Sequence, residues 1–210
     1  MDKIICIAGP TASGKTALSI ALAKALNGEV VSCDSMQIYK GMDIGTAKPT
    51  LEERAGIVHH MLDVAEPWDD FSVSRYCEMA APLVDNILAR GKTAIIAGGT
   101  GLYMDALIQG NTFAPYPSTG RREELEAMAD REGIESVLCK LREVDPESAA
   151  RLHLRDRKRI IRAMEVYLET GETITAHNEK TKAIPPRYTP VWFALEDENR
   201  LRFTIASTIV

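Results

Sequence analysis

A run of eight residues near the N-terminus has the residue types and spacing of a phosphate-binding loop. It matches the pattern G-x-x-x-x-G-K-[ST] and consists of Gly9, Pro10, Thr11, Ala12, Ser13, Gly14, Lys15 and Thr16. Glycines let several backbone N–H groups point inward, Lys15 supplies a positive charge, and the Thr16 hydroxyl can hold Mg²⁺. The run therefore predicts a site for a di- or triphosphate. It does not identify a reaction, because kinases, hydrolases and transferases share this loop.

The residues on either side of this loop predict the elements that position it. Residues 3–8 are a short apolar run typical of a buried strand. After the loop, apolar residues recur at helical spacing at Leu18, Ala21, Leu22, Ala25 and Leu26. Strand, loop and helix stand in the order that places an anion at a helix N-terminus. A glycine-containing turn that matches by chance is the alternative, and these flanks disfavour it.

Two further predicted strands end in residues that could complete the site. Residues 29–33 are followed by the polar segment 34–37, and residues 93–97 lead into the glycine-rich run 98–101. The carboxyl ends of parallel strands meet at one edge of a sheet, which is where open α/β sheets bind ligands. The intervening segment 39–49, rich in glycine and polar residues, is typical of a binding loop. A helix is predicted over 72–89, and its interior Pro82 should kink or divide it.

Length and composition limit the class of protein. The 210 residues suffice for one α/β core and a subdomain. No apolar run approaches the ~18 residues that cross a bilayer, and no signal-peptide pattern precedes the first strand. The four cysteines are dispersed, as in a cytoplasmic protein with reduced, mostly buried thiols. The net charge of −5 argues against nonspecific nucleic-acid binding. A monomer is expected, although the sequence leaves the oligomeric state open.

The second half of the chain predicts a helical subdomain. Proline and small residues over 111–118 mark its start, and helices are predicted over 121–131, 134–144 and 156–170. A basic link and a strand over 191–195 should follow. Charge concentrates in one stretch of this region, whose six basic residues are Arg151, Arg155, Arg157, Lys158, Arg159 and Arg162. Without further information, a solvated basic helix face is the favoured interpretation of that stretch.

Five stretches together resemble the tRNA dimethylallyltransferases. They are GPTASGKT, DSMQIYKGMDIGTAKP, HHMLDV, AGGTGLY and the arginine-rich DRKRIIRAMEVY. The family transfers a dimethylallyl group from dimethylallyl diphosphate to N6 of adenosine 37, next to the anticodon of tRNAs. The resemblance covers residues 4–195, and the second stretch is far more specific than the phosphate loop. The last residues depart from the family, which continues for about a hundred residues that return to the core sheet; a truncated or altered C-terminus is therefore expected.

The resemblance implies a fold and a domain division. The fold is α/β, with a P-loop NTPase-like core, a parallel sheet flanked by helices and a helical insertion; the C-terminal part of the core is expected to be missing or altered. The first part of the core would occupy residues 1–112 and a tRNA-binding insertion residues 113–190. Residues 191–210 would begin the return to the core. The phosphate loop would then hold the diphosphate of the prenyl donor rather than ATP.

The resemblance also implies roles for individual residues. Asp34 matches the general base that takes the N6 proton, and Thr100 matches a hydroxyl close to the reacting atoms. A turn-capping carboxylate and a helix N-cap are the structural alternatives for these two. Arg122 matches an arginine that stabilises the diphosphate, and its neighbour Arg121 stays open as a candidate. Nine residues match positions that bind tRNA in the family. They are Asp34, Ser35, Met36, Gln37, Lys158, Arg159, Ile160, Ile161 and Arg162.

Three other functions remain open. A small-metabolite kinase would hold ATP in the same loop, and an adenylate isopentenyltransferase would modify free AMP. The basic helix favours RNA over AMP as the acceptor. A non-catalytic RNA-binding remnant would follow from the unusual C-terminus. The expected partners are therefore tRNA and dimethylallyl diphosphate with Mg²⁺ as cofactor, and no membrane.

Overall fold

The computed structural model describes residues 2–111 and 119–195, which form two compact units. The first unit contains residues 2–111 together with 186–195, and the second contains residues 119–185. Within the described ranges, none of the helices has the length and apolarity needed to span a membrane. The residues of two predictions, the start of the subdomain at 112–118 and the chain after 195, lie outside the described part.

A parallel sheet forms the centre of the first unit. Its strands have the spatial order β3-β2-β4-β1-β5. All of the pairings between neighbours are parallel, so the carboxyl ends of the strands meet at one edge. The strands are β1 (Asp2–Ala8), β2 (Gly28–Ser32), β3 (His59–His60), β4 (Thr93–Gly98) and β5 (Tyr188–Ala194). The predicted fold class is confirmed in the described residues.

Helices cover both faces of this sheet. They are α1 (Lys15–Ala25), α2 (Val73–Ala89) and α3 (Gly101–Gln109). Ile7, Val30 and Ile95 pack with Ala23 of α1 on one face. Because successive side chains of a strand point to opposite faces, their neighbours Cys6 and Ile96 face the other side, where α2 and α3 lie. Burial on both faces explains why these strands are continuous apolar runs rather than alternating ones.

Helix α2 is continuous, so the predicted division at Pro82 is wrong. The proline lies within the helix, and its side chain is exposed to solvent. The opposite face is buried at Tyr76, Ala80, Val84 and Ile87. Ser72 caps the start, because its side chain accepts a hydrogen bond from the Arg75 N–H at 3.2 Å. Burial of that face offsets the hydrogen bond that proline cannot donate.

The second unit is a bundle of helices with its own apolar core. The helices are α4 (Arg121–Glu132), α5 (Ile134–Val144), α6 (Pro146–Arg151), α7 (Arg157–Thr170) and α8 (Ile174–Ala183). Leu125, Leu138, Leu141, Ile160 and Ile161 belong to the buried core. Short helix α6 was not predicted, and α8 occupies residues expected to form a basic link. The sequence signal for α8 is weak because none of its side chains is buried.

A polar cluster fixes the chain where it returns to the sheet in β5. The Tyr188 hydroxyl donates a hydrogen bond to Asp85 Oδ1 at 2.7 Å and lies 3.3 Å from the Ala81 carbonyl oxygen. Arg187 pairs with the same Asp85 carboxylate, and its backbone N–H donates to the Ile108 carbonyl. Strand β5 thus begins at Tyr188, three residues before the predicted start, because these contacts order the preceding residues.

The amino-terminal end of β2 carries a buried carboxylate held by three basic side chains. Glu29 is only 4% exposed, and its two oxygens accept hydrogen bonds from Arg90 at 2.6 and 2.7 Å. The Lys92 ammonium lies 2.7 Å from Glu29 Oε1, and His60 Nε2 lies 2.9 Å from Glu29 Oε2. The Arg90 guanidinium is the main cause that holds the pKa of Glu29 well below its usual value, with smaller effects from Lys92 and His60. The cluster joins β2 and β3 to the turn that precedes β4.

We expect Glu29→Gln to destabilise the first unit by about 2–3 kcal/mol, because the charged hydrogen bonds are lost in a buried position. The lowered pKa means that this stabilisation is present above the ordinary glutamate pKa and is lost as the pH falls through the folded-state pKa. Urea denaturation between pH 7 and pH 3 measures both effects. Glu66→Gln, which removes an exposed pair with Lys40, is the control and should change stability by less than about 1 kcal/mol. If Glu29→Gln and Glu66→Gln lowered the free energy of unfolding equally, the buried cluster around Glu29 would not be the stabilising feature.

Candidate functional site

The phosphate loop connects β1 to α1 at the carboxyl edge of the sheet. Gly14 has φ of 88°, a left-handed conformation that favours glycine, and Lys15 begins the helix immediately afterwards. The free N–H groups of the first helical turn therefore face the loop. This is the arrangement in which helix N-termini bind phosphate groups.

Two side chains of the loop are poised for an anion. The Lys15 ammonium donates to the carbonyl oxygens of Gly9 and Pro10 at 2.8 and 2.6 Å, and within the described residues it forms no ion pair. Burial lowers its pKa, an effect that the negative charge of Asp34 partly opposes. The Ser13 hydroxyl is buried and has no hydrogen-bond partner among the described residues. A bound phosphate would satisfy both groups.

Asp34 lies just past the end of β2 with one carboxylate oxygen engaged. Its Oδ1 accepts a hydrogen bond from the Met36 N–H at 2.9 Å and a longer one from Gln37 at 3.4 Å. Its Oδ2 accepts no hydrogen bond from the described part of the chain. The turn-capping role considered for Asp34 is therefore present, and it uses one oxygen while leaving the other able to accept a proton.

Thr100 ties the end of β4 to the end of β2. Its Oγ1 accepts a hydrogen bond from the Ser35 N–H at 2.9 Å and lies 3.3 Å from the Ser35 hydroxyl. Thr100 occupies the N-cap position of α3, but its side chain makes no capping hydrogen bond. The hydroxyl thus fixes the segment that begins with Asp34 rather than the helix.

The two strand ends approach closely because Gly98 has no side chain. A Cβ atom on Gly98 would lie 1.9 Å from the Cys33 carbonyl oxygen, which is an impossible contact. Backbone hydrogen bonds between the two chain segments continue past the end of β2. The Cys33 N–H donates to the Ala97 carbonyl oxygen at 2.8 Å, and the Thr100 N–H donates to the Cys33 carbonyl oxygen at 3.1 Å. Asp34 is the next residue, so this contact sets its position.

Residues of the phosphate loop and Asp34 share one cavity of about 500 Å³, whereas Ser13 and Thr100 are not among its lining residues. Its lining includes Lys15 and Thr16 from the phosphate loop, Asp34 and Gln37 after β2, and Thr46 from the segment 39–49. The predicted diphosphate residues and the predicted base are thereby brought together. The Gln37 amide is already bonded, because it accepts from the Ser32 hydroxyl and donates to backbone carbonyls of residues 46 and 47. Gln37 therefore shapes the cavity wall.

A second cavity, of about 460 Å³, lies within the helical unit and is lined by cations. Its charged lining residues are all basic: Arg122, Arg151, Lys158, Arg159 and Arg162. Arg121 instead pairs with Glu124 at 3.0 Å, which leaves Arg122 as the better candidate for binding an anionic ligand. Arg151 was not singled out as a site residue in the sequence, because it precedes the helix that carries the other basic residues; only its place in the basic stretch could have pointed to it.

Ile160 and Ile161 have buried side chains, as the apolar stripe of this helix predicts, so any part they have in binding tRNA stays a prediction. Both side chains are 0% exposed and belong to the core of the helical unit. They lie on the opposite side of α7 from Lys158 and Arg159, as the helical period requires. The exposed cations of this helix lie on its basic face.

The metal-binding groups near the loop are few. Within the described ranges, no cluster of three or more His, Cys, Asp or Glu side chains could hold a metal ion. Thr16 and Asp34 do line the same cavity, however. The Thr16 hydroxyl, together with phosphate oxygens and water, is a donor set that Mg²⁺ commonly takes in phosphate sites, and the nearby carboxylate adds negative charge without having to bind the ion directly. The residues present therefore fit a magnesium ion that arrives with a diphosphate.

The fold and the first cavity together define a P-loop α/β protein with a predicted phosphate loop and a carboxylate at neighbouring strand ends. Residues 37–208 match the family described as IPP transferase. The chain belongs to this family.

Similar proteins include the tRNA dimethylallyltransferases of Acetivibrio thermocellus, 48% identical over 90% of this chain, and of Bacillus cytotoxicus, 50% identical over 86%. The chain spans 60% and 58% of their lengths. Among solved structures, the tRNA isopentenylpyrophosphate transferase of Staphylococcus epidermidis is 39% identical, with a TM-score of 0.58 over 93% of this chain and 64% of its own. A eukaryotic dimethylallyltransferase acting on tRNA is 31% identical, with a TM-score of 0.79 over 93% of this chain and 48% of its own.

We expect Gly98→Ala to reduce pyrophosphate affinity by about tenfold or more, since a shift at the Cys33 contact displaces the cavity lining. Gly101→Ala is the matched control, because a Cβ atom there meets nothing within 4 Å. Isothermal titration with pyrophosphate and Mg²⁺ measures the affinity, and thermal unfolding measures stability. If the two variants bound pyrophosphate equally well, the close approach of Gly98 to Cys33 would not be needed for the site.

Proposed function

We propose that the protein transfers a dimethylallyl group from dimethylallyl diphosphate to N6 of adenosine 37 beside the anticodon of tRNAs. The observation that carries the proposal is the shared cavity in which Asp34 lies with Lys15 and Thr16. A phosphate site alone would suit many reactions, whereas a carboxylate with a free oxygen beside it suits removal of a proton from an attacking amine. The names of the relatives point to the same reaction.

The phosphate loop would hold the diphosphate leaving group. Lys15 would exchange its backbone carbonyl partners for phosphate oxygens, and the unpartnered Ser13 hydroxyl would donate a hydrogen bond. Thr16 would hold Mg²⁺, which when bound supplies positive charge to the departing diphosphate. The resemblance assigns a similar role to Arg122, which lines the cavity of the helical unit and has no ion-pair partner among the described residues. These groups favour breakage of the allylic carbon–oxygen bond.

Asp34 would serve as the base at the acceptor. As N6 forms its bond to the allylic carbon and the carbon–oxygen bond breaks, the N6 proton passes to Asp34 Oδ2. The turn that binds Oδ1 holds the carboxylate in place during this transfer. Thr100 contributes by fixing the backbone of Ser35, one residue further on. Ser35 and Met36 would receive the extruded adenine and its neighbours.

The cavity of the helical unit would bind the anticodon stem-loop. Lys158 and Arg159 are exposed and have no ion-pair partner among the described residues, while Arg162 pairs with Glu165 at its margin. Clustered cations of this kind bind RNA phosphates, and arginine planes also stack on unpaired bases. Because free AMP needs no such surface, the cavity favours tRNA as the acceptor.

We expect Asp34→Asn to lower the rate of prenyl transfer by at least about a hundredfold with pyrophosphate affinity within twofold, since asparagine keeps the Oδ1 turn and cannot take the proton. Mass spectrometry of nucleosides from tRNA incubated with dimethylallyl diphosphate measures the product. A parallel loss of pyrophosphate binding would make Asp34 structural. Phosphoryl transfer from labelled ATP, without prenylated tRNA, would replace the proposal with a kinase.

We expect the double substitution Lys158→Ala/Arg159→Ala to weaken tRNA binding by about tenfold and to reduce its salt dependence, because about two phosphate contacts are lost. Filter binding at several salt concentrations measures both. Arg131→Ala/Arg142→Ala removes the same charge from helices α4 and α5 outside the cavity lining and is the control. If the control weakens binding equally, net charge and not the basic cavity accounts for the affinity.

A further inference from the structure

Lys48 is a buried cation at the base of the segment 39–49. Its side chain is only 3% exposed, yet it carries an ammonium group. The three N–H groups meet three acceptors: the Tyr39 carbonyl oxygen at 2.7 Å, Asp43 Oδ1 at 2.7 Å and Asp63 Oδ1 at 2.6 Å. An ammonium has three hydrogen-bond donors, so Lys48 is fully satisfied by these contacts.

The three acceptors belong to separate parts of the chain, two of which, residues 37–40 and 63–65, are also joined by backbone hydrogen bonds. Tyr39 follows the segment that starts at Asp34, Asp43 lies within the segment 39–49, and Asp63 belongs to the turn after β3. Asp63 has φ of 55° and Ala47 has φ of 50°, left-handed values that are unfavourable for residues other than glycine. Contacts with their surroundings must hold these conformations.

The segment that Lys48 holds forms a wall of the first cavity. Thr46 and Ala47 line it, and their carbonyl oxygens accept hydrogen bonds from the Gln37 amide at 3.0 and 3.3 Å. Backbone hydrogen bonds join the segment after Asp34 to the turn after β3, including Asp63 N–H to Gln37 at 3.3 Å. Lys48 lies where these connections converge, although it does not itself line the cavity.

We propose that Lys48 is a positioning residue that fixes the segment 39–49 as the acceptor wall of the cavity. The assignment of this wall to the acceptor rests on the proposed function, since the phosphate loop binds the donor. Without the ammonium, Asp43 and Asp63 repel each other and can turn toward water, because their side chains are 61% and 42% exposed. The segment then loses its side-chain connection to the turn after β3 and keeps only the backbone hydrogen bonds near residue 40, while the sheet and the phosphate loop stay intact.

The protonation of Lys48 is consistent with this role. Burial acts to lower the pKa of the ammonium, and the hydrogen bonds to Asp43 and Asp63 more than offset that effect, so the pKa is raised. The group therefore remains charged at neutral pH. A charged group held this tightly restrains its partners more strongly than an exposed pair does.

Hydrogen exchange tests the inference without reference to catalysis. Lys48→Met keeps the length of the side chain and removes the charge, and we expect amide exchange over residues 37–49 and 61–65 to accelerate by about tenfold or more. Exchange in α1 and β1 should be unchanged. Lys40→Met is the matched control from the same segment, because Lys40 is 54% exposed and pairs only with Glu66 among the described residues. It should alter exchange less than about twofold.

The kinetic experiment distinguishes a positioning role from a general loss of stability. For Lys48→Met, we expect the KM for tRNA to rise by about tenfold, with the KM for dimethylallyl diphosphate and the pyrophosphate affinity within twofold. The double variant Asp43→Asn/Lys48→Met should exchange no faster than Lys48→Met, because the contact is already lost.

Three results would overturn the inference: unchanged exchange over 37–49, acceleration throughout the first unit with loss of pyrophosphate binding, or an equal effect of Lys40→Met. If the unaltered protein prenylates no tRNA, the proposed function fails. The exchange measurements would still decide whether Lys48 fixes the segment.

Discussion

The close approach of β2 and β4 at their carboxyl ends is the contact on which the rest of the site depends. Gly98 permits it, because any side chain there would collide with the Cys33 carbonyl oxygen. Backbone hydrogen bonds then run on past the strands, and the Thr100 hydroxyl binds the Ser35 N–H. As a result, Asp34 reaches the cavity that the phosphate loop lines. A carboxylate and an anion site are thus fixed by backbone geometry rather than by attraction between them.

Buried charge has different roles at the two ends of this sheet. At the amino-terminal end, Glu29 accepts from three basic side chains and joins neighbouring strands. At the carboxyl edge, Lys48 joins three segments that lie outside the helices and strands. The first cluster stabilises a sheet that apolar packing already supports. The second restrains a cavity wall for which little apolar packing is available, so its removal should have a local effect.

The chain is acidic overall, but one of its cavities is lined by basic residues. The formal charge is −5, yet the cavity of the helical unit has only basic residues among its charged lining. Acidic side chains such as Glu147 and Glu165 pair with Arg151 and Arg162 at its margin. Electrostatic attraction of RNA falls off within about a Debye length of ~10 Å, so the local arrangement of charges matters more than their sum.

The sequence by itself determined the parts of the protein that depend on local pattern. Apolar runs identified β1, β2 and β4, and helical periodicity identified α4, α5 and α7; the pattern at residues 9–16 predicted the loop between β1 and α1 as a phosphate site. Helix α8 was missed, because an exposed helix has weak periodicity. Helix α2 was predicted over nearly its full length, but the possible division at Pro82 does not occur, because burial can outweigh an interior proline. Helical periodicity also placed Ile160 and Ile161 on the buried face of α7. Only the tertiary structure decided that Arg151 joins the basic cavity and that Lys48 is buried between two carboxylates. These facts depend on contacts between residues distant in sequence or on different faces of a helix, and no local pattern specifies which such residues meet.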